Sequence, residues 1–159
     1  MTDRQACGTR IDSIGDLEPL VGSVLGCSSW LTVERQRIAK FADAAENPAV
    51  ADVGLRSAQS AEAFGQSYAP GGLILSLIVP TLREILAIRS LTMGVNYGLD
   101  KVRFIALVPA GSRIRLLATL LDVEYVSPRG VQVVIDASFE CQGGVRPVAT
   151  AEAVYRYFE

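Results

Sequence analysis

From Gly71 to Ile88 the chain reads GGLILSLIVPTLREILAI, apolar on nearly every side if wound as a helix. A helix of that kind has to be enclosed on most sides. The material to enclose it follows directly: segments 93–107, 112–126, 130–142 and 145–158 are rich in Val, Ile, Leu, Tyr and Phe, and several alternate as half-buried strands do. In the third, Val131, Val133, Ile135, Ala137 and Phe139 share one face, while Gln132, Asp136, Ser138 and Glu140 lie mostly on the other. Helix and strands are each the only large apolar surface available to the other. The expected fold is therefore α+β, an antiparallel sheet wrapped around a long central helix. Val108-Pro109-Ala110-Gly111, Ser127-Pro128-Arg129-Gly130 and Gln142-Gly143-Gly144 are short and turn-like, which predicts consecutive hairpins. Pro80 predicts a kink in the helix or an end to its first half.

The N-terminal half is less periodic. Residues 1–20 are polar and mixed and read as an arm that packs onto the domain late or stays mobile, with the domain proper at 21–159. Thr32 is the expected N-cap of a helix to about Ala45, carrying Ile38, Phe41, Ala42 and Ala45 on one face and stopped by Asn47-Pro48. Residues 46–70 show no long periodicity, although SAQSAEAF suits a short helix, and read as a long functional loop.

Composition removes several kinds of chemistry. The 159 residues include no histidine, which excludes a Ser-His-Asp triad, a Cys-His pair, HExxH and any His-ligated metal. No metal or other cofactor is expected. Half the residues are hydrophobic, enough for one domain of this length to build a core without disulfides. Cys7, Cys27 and Cys141 are odd in number and lack CxxC spacing, as expected of free thiols in a reducing cytoplasm. A net charge of −2 without a Lys/Arg run argues against a nucleic-acid partner. The N-terminus MTDRQACGTR lacks the apolar stretch of a secretion signal. The uncharged run from Ala63 to Leu82 is interrupted by Gln66, Ser67, Pro70, Gly71, Gly72, Ser76 and Pro80, so it reads as buried core rather than membrane span.

Two strings then carry a resemblance. Asn96-Tyr97-Gly98-Leu99-Asp100-Lys101-Val102-Arg103-Phe104, followed by Val108-Pro109-Ala110-Gly111-Ser112-Arg113-Ile114-Arg115, resembles the MaoC-like hydratases of the NodN-like branch, in which an NYG…VRF…VP.GS..R string recurs. Trp30-Leu31-Thr32 and Phe41-Ala42-Asp43-Ala44 look like that family's approach to its first helix, and Ala69-Pro70-Gly71-Gly72-Leu73-Ile74-Leu75-Ser76-Leu77 looks like its AHGFLTLSL stretch. The resemblance runs from about Val21 to Phe158. It implies a hot dog fold, a homodimer or a heterodimer with another hot dog chain, and an acyl thioester of coenzyme A or acyl carrier protein as ligand.

The family's usual reaction adds water to a trans-2-enoyl thioester. An Asp and a His spaced D-x4-H handle the water and the proton, and a Gly N–H supplies the oxyanion donor. Counted from Phe41, the resemblance places the Asp on Asn47 and the His on Asp52, and the His of AHG on Pro70. An amide at Asn47 has no titrating proton near neutral pH. Asp52 can accept a proton, but a solvated carboxyl is too acidic to be a strong base. Gly71 keeps the oxyanion position, with Gly72 beside it, unless the pair serves close packing at a helix start. Ser76 matches a polar position near the substrate, against the alternative of a hydroxyl satisfied by its own helix. Tyr97 either lines the acyl tunnel or fills a dimer edge. Lys101 and Arg103, with Arg113 and Arg115 across the expected 109–111 turn, form an expected four-cation patch for the phosphates of coenzyme A or a carrier, against the alternative of a solvated sheet face. Two functions stay open: a non-catalytic or partner subunit of a hydratase/dehydratase, or an active lyase or cyclase using Asp52, Asn47 and the Gly71 N–H.

Overall fold

The computed structural model describes residues 6–46 and 67–159. Its main sheet contains β2 (Val24–Cys27), β5 (Met93–Phe104), β6 (Arg113–Val126), β7 (Gly130–Cys141) and β8 (Ala149–Phe158) in the order β2-β6-β7-β8-β5, with β3 (Leu31–Thr32) also paired to β6. All these pairings are antiparallel. Alternation in the sequence explains the inner face. Val131, Val133, Ile135, Ala137 and Phe139 of β7 are at most 1% exposed, and opposite them on β8 lie Tyr157, Tyr155, Ala153, Ala151 and Ala149. Ile114, Leu116, Ala118 and Leu120 continue that face onto β6. Each large aliphatic side chain so buried contributes about 1.5–3 kcal/mol.

The central helix is in two parts, α2 (Gly71–Ser76) and α3 (Ile78–Ile85). The break falls at Leu77, three residues before Pro80, because a proline has no N–H to donate to the carbonyl of Ser76 and its ring crowds that carbonyl. Leu73, Ile74, Leu77, Ile78, Leu82 and Ile85 join the strand residues in one core. Thr81 is buried, and its hydroxyl donates to the Leu77 carbonyl at 2.7 Å.

Three expectations are corrected. The helix stops at Ile85, and Leu86–Ile88 (β4) instead pairs in parallel with β1 (Thr9–Ile11). Thr32 is not an N-cap: Leu31 and Thr32 pair with Ile114 and Arg113, so the chain stays extended and α1 (Arg35–Ala44) begins after Glu34. Ala45 is exposed beyond its end, while Ile38 and Ala42 are buried. The strands are also not all consecutive hairpins. β6–β7 and β7–β8 are, but β5 pairs with β8 from Met93–Phe158 to Phe104–Ala149, at the opposite end of the sheet from β2. Residues 105–112 are therefore a crossover, held by hydrogen bonds from Ala69 N–H to the Val108 carbonyl and from Ala110 N–H to the Ser67 carbonyl, both 2.8 Å.

Of the two states allowed for residues 1–20, the described part takes the packed one. β1 and a 3-10 turn over Ile14–Leu20 lie on the domain and bury Ile14 and Leu17. Cys7 and Cys27 face each other across a backbone pair, with their sulfurs 3.8 Å apart and unbridged. No helix among the described residues is long and apolar enough to cross a membrane.

Candidate active site and its cavity

The first turn of α2 is built around missing side chains. Pro70 is buried and extended (ψ 147°) and turns the chain into the helix, its carbonyl accepting from Leu73 and Ile74 N–H at 3.0 and 3.3 Å. A Cβ on Gly71 would come within 2.5 Å of the Phe104 ring, and one on Gly72 within 3.1 Å of the Phe41 ring. Close packing is thus part of why glycine stands there. The backbone N–H groups of Gly71 and Gly72 have no acceptor among the described residues, as the first turn of a helix leaves them. Both readings of the pair are compatible, because the aromatic rings occupy the Cβ positions and not the N–H positions.

The other expected site residues scatter. Asn47 and Asp52 lie outside the described residues, as does the SAQSAEAF segment. Ser76 is exposed, and its hydroxyl donates to the Leu73 carbonyl at 2.7 Å, so its own helix satisfies it. Tyr97 sits on the outer face of the sheet with the Arg156 guanidinium 3.7 Å from its ring centroid, opposite the face to which Tyr155 and Tyr157 are turned. It does not line the space beneath the sheet.

The four cations do not make one patch. β7 and β8 separate β5 from β6, so at about 4.8 Å per strand the two pairs stand roughly 14 Å apart. The 109–111 segment that was to join them is a crossover, which is why adjacency fails. Lys101 lies in a bulge with φ +49° and pairs with Glu152 at 2.7 Å, and that carboxylate raises the lysine's pKa above its ordinary value. Arg115 is buried, bonded to Glu140 at 2.9 Å and lying 4.4 Å from the Trp30 ring centroid. Arg103 and Arg113 are exposed and donate to neutral oxygens, the Val102 carbonyl at 2.8 Å and the Gln142 amide at 3.5 Å.

A cavity of about 200 Å³ that the sequence did not disclose lies between α3, β4, β5 and β8. Its apolar wall is Val79 and Leu82 of α3, Leu86 and Ile88 of β4, and Leu91. Arg83, Asn96, Tyr155 and Tyr157 supply its polar groups. The two tyrosine rings stack with centroids 5.9 Å apart. Burial pushes the Tyr155 phenol up to about 12 and raises Tyr157 further, with the neighbouring Tyr155 adding to the second shift. Both phenols therefore hold their protons at neutral pH. Part of this was readable: Val79, Leu82, Arg83 and Leu86 have helical i, i+3, i+4, i+7 spacing, and Tyr155 and Tyr157 have strand spacing. That the two sets converge was not.

No protein-family model matches the chain. It is 33% identical over 146 residues to 3-hydroxyacyl-thioester dehydratase Z of Mycobacterium tuberculosis, covering 92% of this chain and 96% of that protein. It is 34% identical over 140 residues to nodulation protein N of Rhizobium leguminosarum bv. viciae, covering 87% of each. Among solved structures, the MaoC-like dehydratase from Rhodospirillum rubrum superposes with a TM-score of 0.66 at 19% identity, over 92% of this chain and 97% of that one.

Proposed function

Since this chain belongs to the MaoC-like hot dog family of hydratases and dehydratases, we propose that it binds acyl thioesters of coenzyme A or acyl carrier protein without ordinary hydratase chemistry, beside a catalytic hot dog chain. One observation carries the proposal: no histidine occurs among the 159 residues, so the imidazole of the family's dyad is missing, and Asn47 and Asp52 stand where the resemblance puts the pair. Without an imidazole poised near neutral pH, water has lost the base that activates it. The thioester carbonyl still has candidate donors in the N–H groups of Gly71 and Gly72, where two hydrogen bonds and the positive end of a short helix favour an oxygen carrying partial charge.

Arg103 and Arg113, exposed and matched by no carboxylate among the described residues, keep the assignment as phosphate contacts, each on its own. Lys101 and Arg115 are matched by Glu152 and Glu140. The second chain docks, in this reading, on β5. That strand ends the sheet, and its large side chains Met93, Val95, Tyr97, Leu99 and Phe104 are all at least 37% exposed. The proposal keeps the protein in the cytoplasm, where such thioesters are made and used.

A second reading is favoured by the retained backbone donors: an active lyase or cyclase in which Asp52 is the acid/base, Asn47 positions water or a carbonyl, and Gly71 N–H holds the oxyanion. Hydration of crotonyl-CoA and longer trans-2-enoyl-CoA thioesters by the purified chain, followed as loss of the conjugated-thioester absorbance, separates the two. The proposal expects no turnover, and expects it to appear in the Asn47→Asp, Asp52→His double variant. Turnover by the unmodified chain that Asp52→Asn abolishes establishes the second reading instead.

A further inference from the structure

We propose that the cavity between α3, β4, β5 and β8 receives a carboxylate carried on an apolar body. Arg83 and Asn96 stand at its exposed side, Tyr155 and Tyr157 at its buried one. Among the described residues none of the side chains of Arg83, Asn96, Tyr155 and Tyr157 has a hydrogen-bond or ion-pair partner, although Tyr155 and Tyr157 are only 6% and 7% exposed. No fully buried side-chain oxygen or nitrogen among the described residues lacks a partner, so the two phenol oxygens open into the cavity, where a bound acceptor can take their protons in hydrogen bonds. All four groups offer N–H or O–H donors, and Arg83 offers nothing else. What complements such a set is an anionic oxygen pair, which a guanidinium meets with two parallel N–H bonds.

The one carboxylate next to Arg83 in sequence does not compete. Glu84 accepts from the Ser29 N–H at 3.0 Å and from the Ser29 hydroxyl at 2.6 Å, which holds it away from its neighbour. The remaining wall of Val79, Leu82, Leu86, Ile88 and Leu91 calls for hydrocarbon. Size limits it. A cavity of about 150 Å³ accepts benzene, so this one takes about six to eight carbons.

Two sources supply that chemistry: the far end of a thioester-linked acyl group, or a separate free acid. The first presupposes thioester binding; the second does not.

Calorimetric titration of the full chain with octanoate and, separately, with octan-1-ol tests the carboxylate directly. Octanoate is expected to bind at least tenfold tighter than the alcohol. Arg83→Gln, a change at an exposed position, is expected to erase that tenfold while leaving octanol binding and the melting temperature as they were. Asn96→Ala is expected to weaken octanoate by a smaller factor. Absence of octanoate binding, equal affinity for acid and alcohol, or octanoate affinity unchanged in Arg83→Gln overturns the proposal.

A second arm locates the source. If the CoA monothioester of suberic acid binds tighter than octanoyl-CoA, and only while Arg83 is present, the carboxylate is the tip of the acyl group. If the two thioesters bind alike, or neither binds, while Arg83-dependent octanoate binding persists, the cavity serves a free acid. The last of these outcomes would count against thioester binding and leave the cavity's assignment standing.

Discussion

β5 and β7 are strands of equal length, 12 residues each, with opposite fates. β7 is hydrogen-bonded on both sides, by β6 and β8, and its inward residues are at most 1% exposed. Among the described residues β5 is bonded on one side only, and Met93, Tyr97 and Phe104 are 52–56% exposed. The hydrophobicity of β7 is used up inside the chain, whereas the described residues leave that of β5 open. A long apolar edge is an aggregation hazard unless something covers it, and that difference is what the proposed docking of a second chain on β5 rests on.

The sharpest way to break the contrast is to shorten one side chain in each strand. Ile135→Ala is expected to lower the unfolding free energy by about 2–5 kcal/mol, while Leu99→Ala, at 37% exposure, is expected to cost less than about 1 kcal/mol in the isolated chain. Urea melts read both. The ion pairs follow the same division. Arg115→Met leaves Glu140 without its partner beside a buried site, an expected loss of about 3 kcal/mol, whereas Lys101→Met, whose side chain is 75% exposed, is expected to leave the urea midpoint unmoved.

Association is the next effect in size. Val95→Lys with Leu99→Lys places two charges on the open edge, and sedimentation should show association weakened tenfold or more, equivalent to about 1.4 kcal/mol, with folding retained. Wild-type chain that stays monomeric alone and with every hot dog partner would break the reading of β5.

Alkaline titration gives the smallest effect and probes the inner face. The raised pKa values of Tyr155 and Tyr157 mean that the folded chain keeps protons the unfolded chain releases. Their contribution is intact below about pH 10, the ordinary tyrosine value, and is lost as pH climbs through 12. Melting temperature is expected to fall across that window, and less steeply in a Tyr155→Phe, Tyr157→Phe variant.

The parts of the fold legible in the sequence were those settled by local pattern. Alternation at Val131–Phe139 identified the inner face because β7 pairs with its two sequence neighbours, β6 and β8, over nearly its whole length. The partner of β5 was hidden, since Val108-Pro109-Ala110-Gly111 has the chemistry of a hairpin turn whether or not it makes one. Leu86–Ile88 was equally ambiguous: three apolar residues suit a helix end as well as a strand, and their partner at Thr9–Ile11 is far away in the chain.

At the candidate site, the helix start at Gly71 and Gly72 was legible from their place at the head of an apolar run. Tyr97, left open between acyl tunnel and dimer edge, is turned away from the cavity for a physical reason. The register of β5 against β8 shifts by one residue between Asn96 and Gly98, and such a bulge reverses which side chains face inward. The cavity drew its lining from four elements, so no stretch of sequence contained it.

Binding of a saturated thioester, which cannot be hydrated, tests the central claim most directly. Calorimetric titration with octanoyl-CoA should saturate at one site per chain, under conditions in which trans-2-octenoyl-CoA is bound but left unchanged. Conversion of the enoyl thioester by the chain alone, or no detectable heat with either compound, would contradict it.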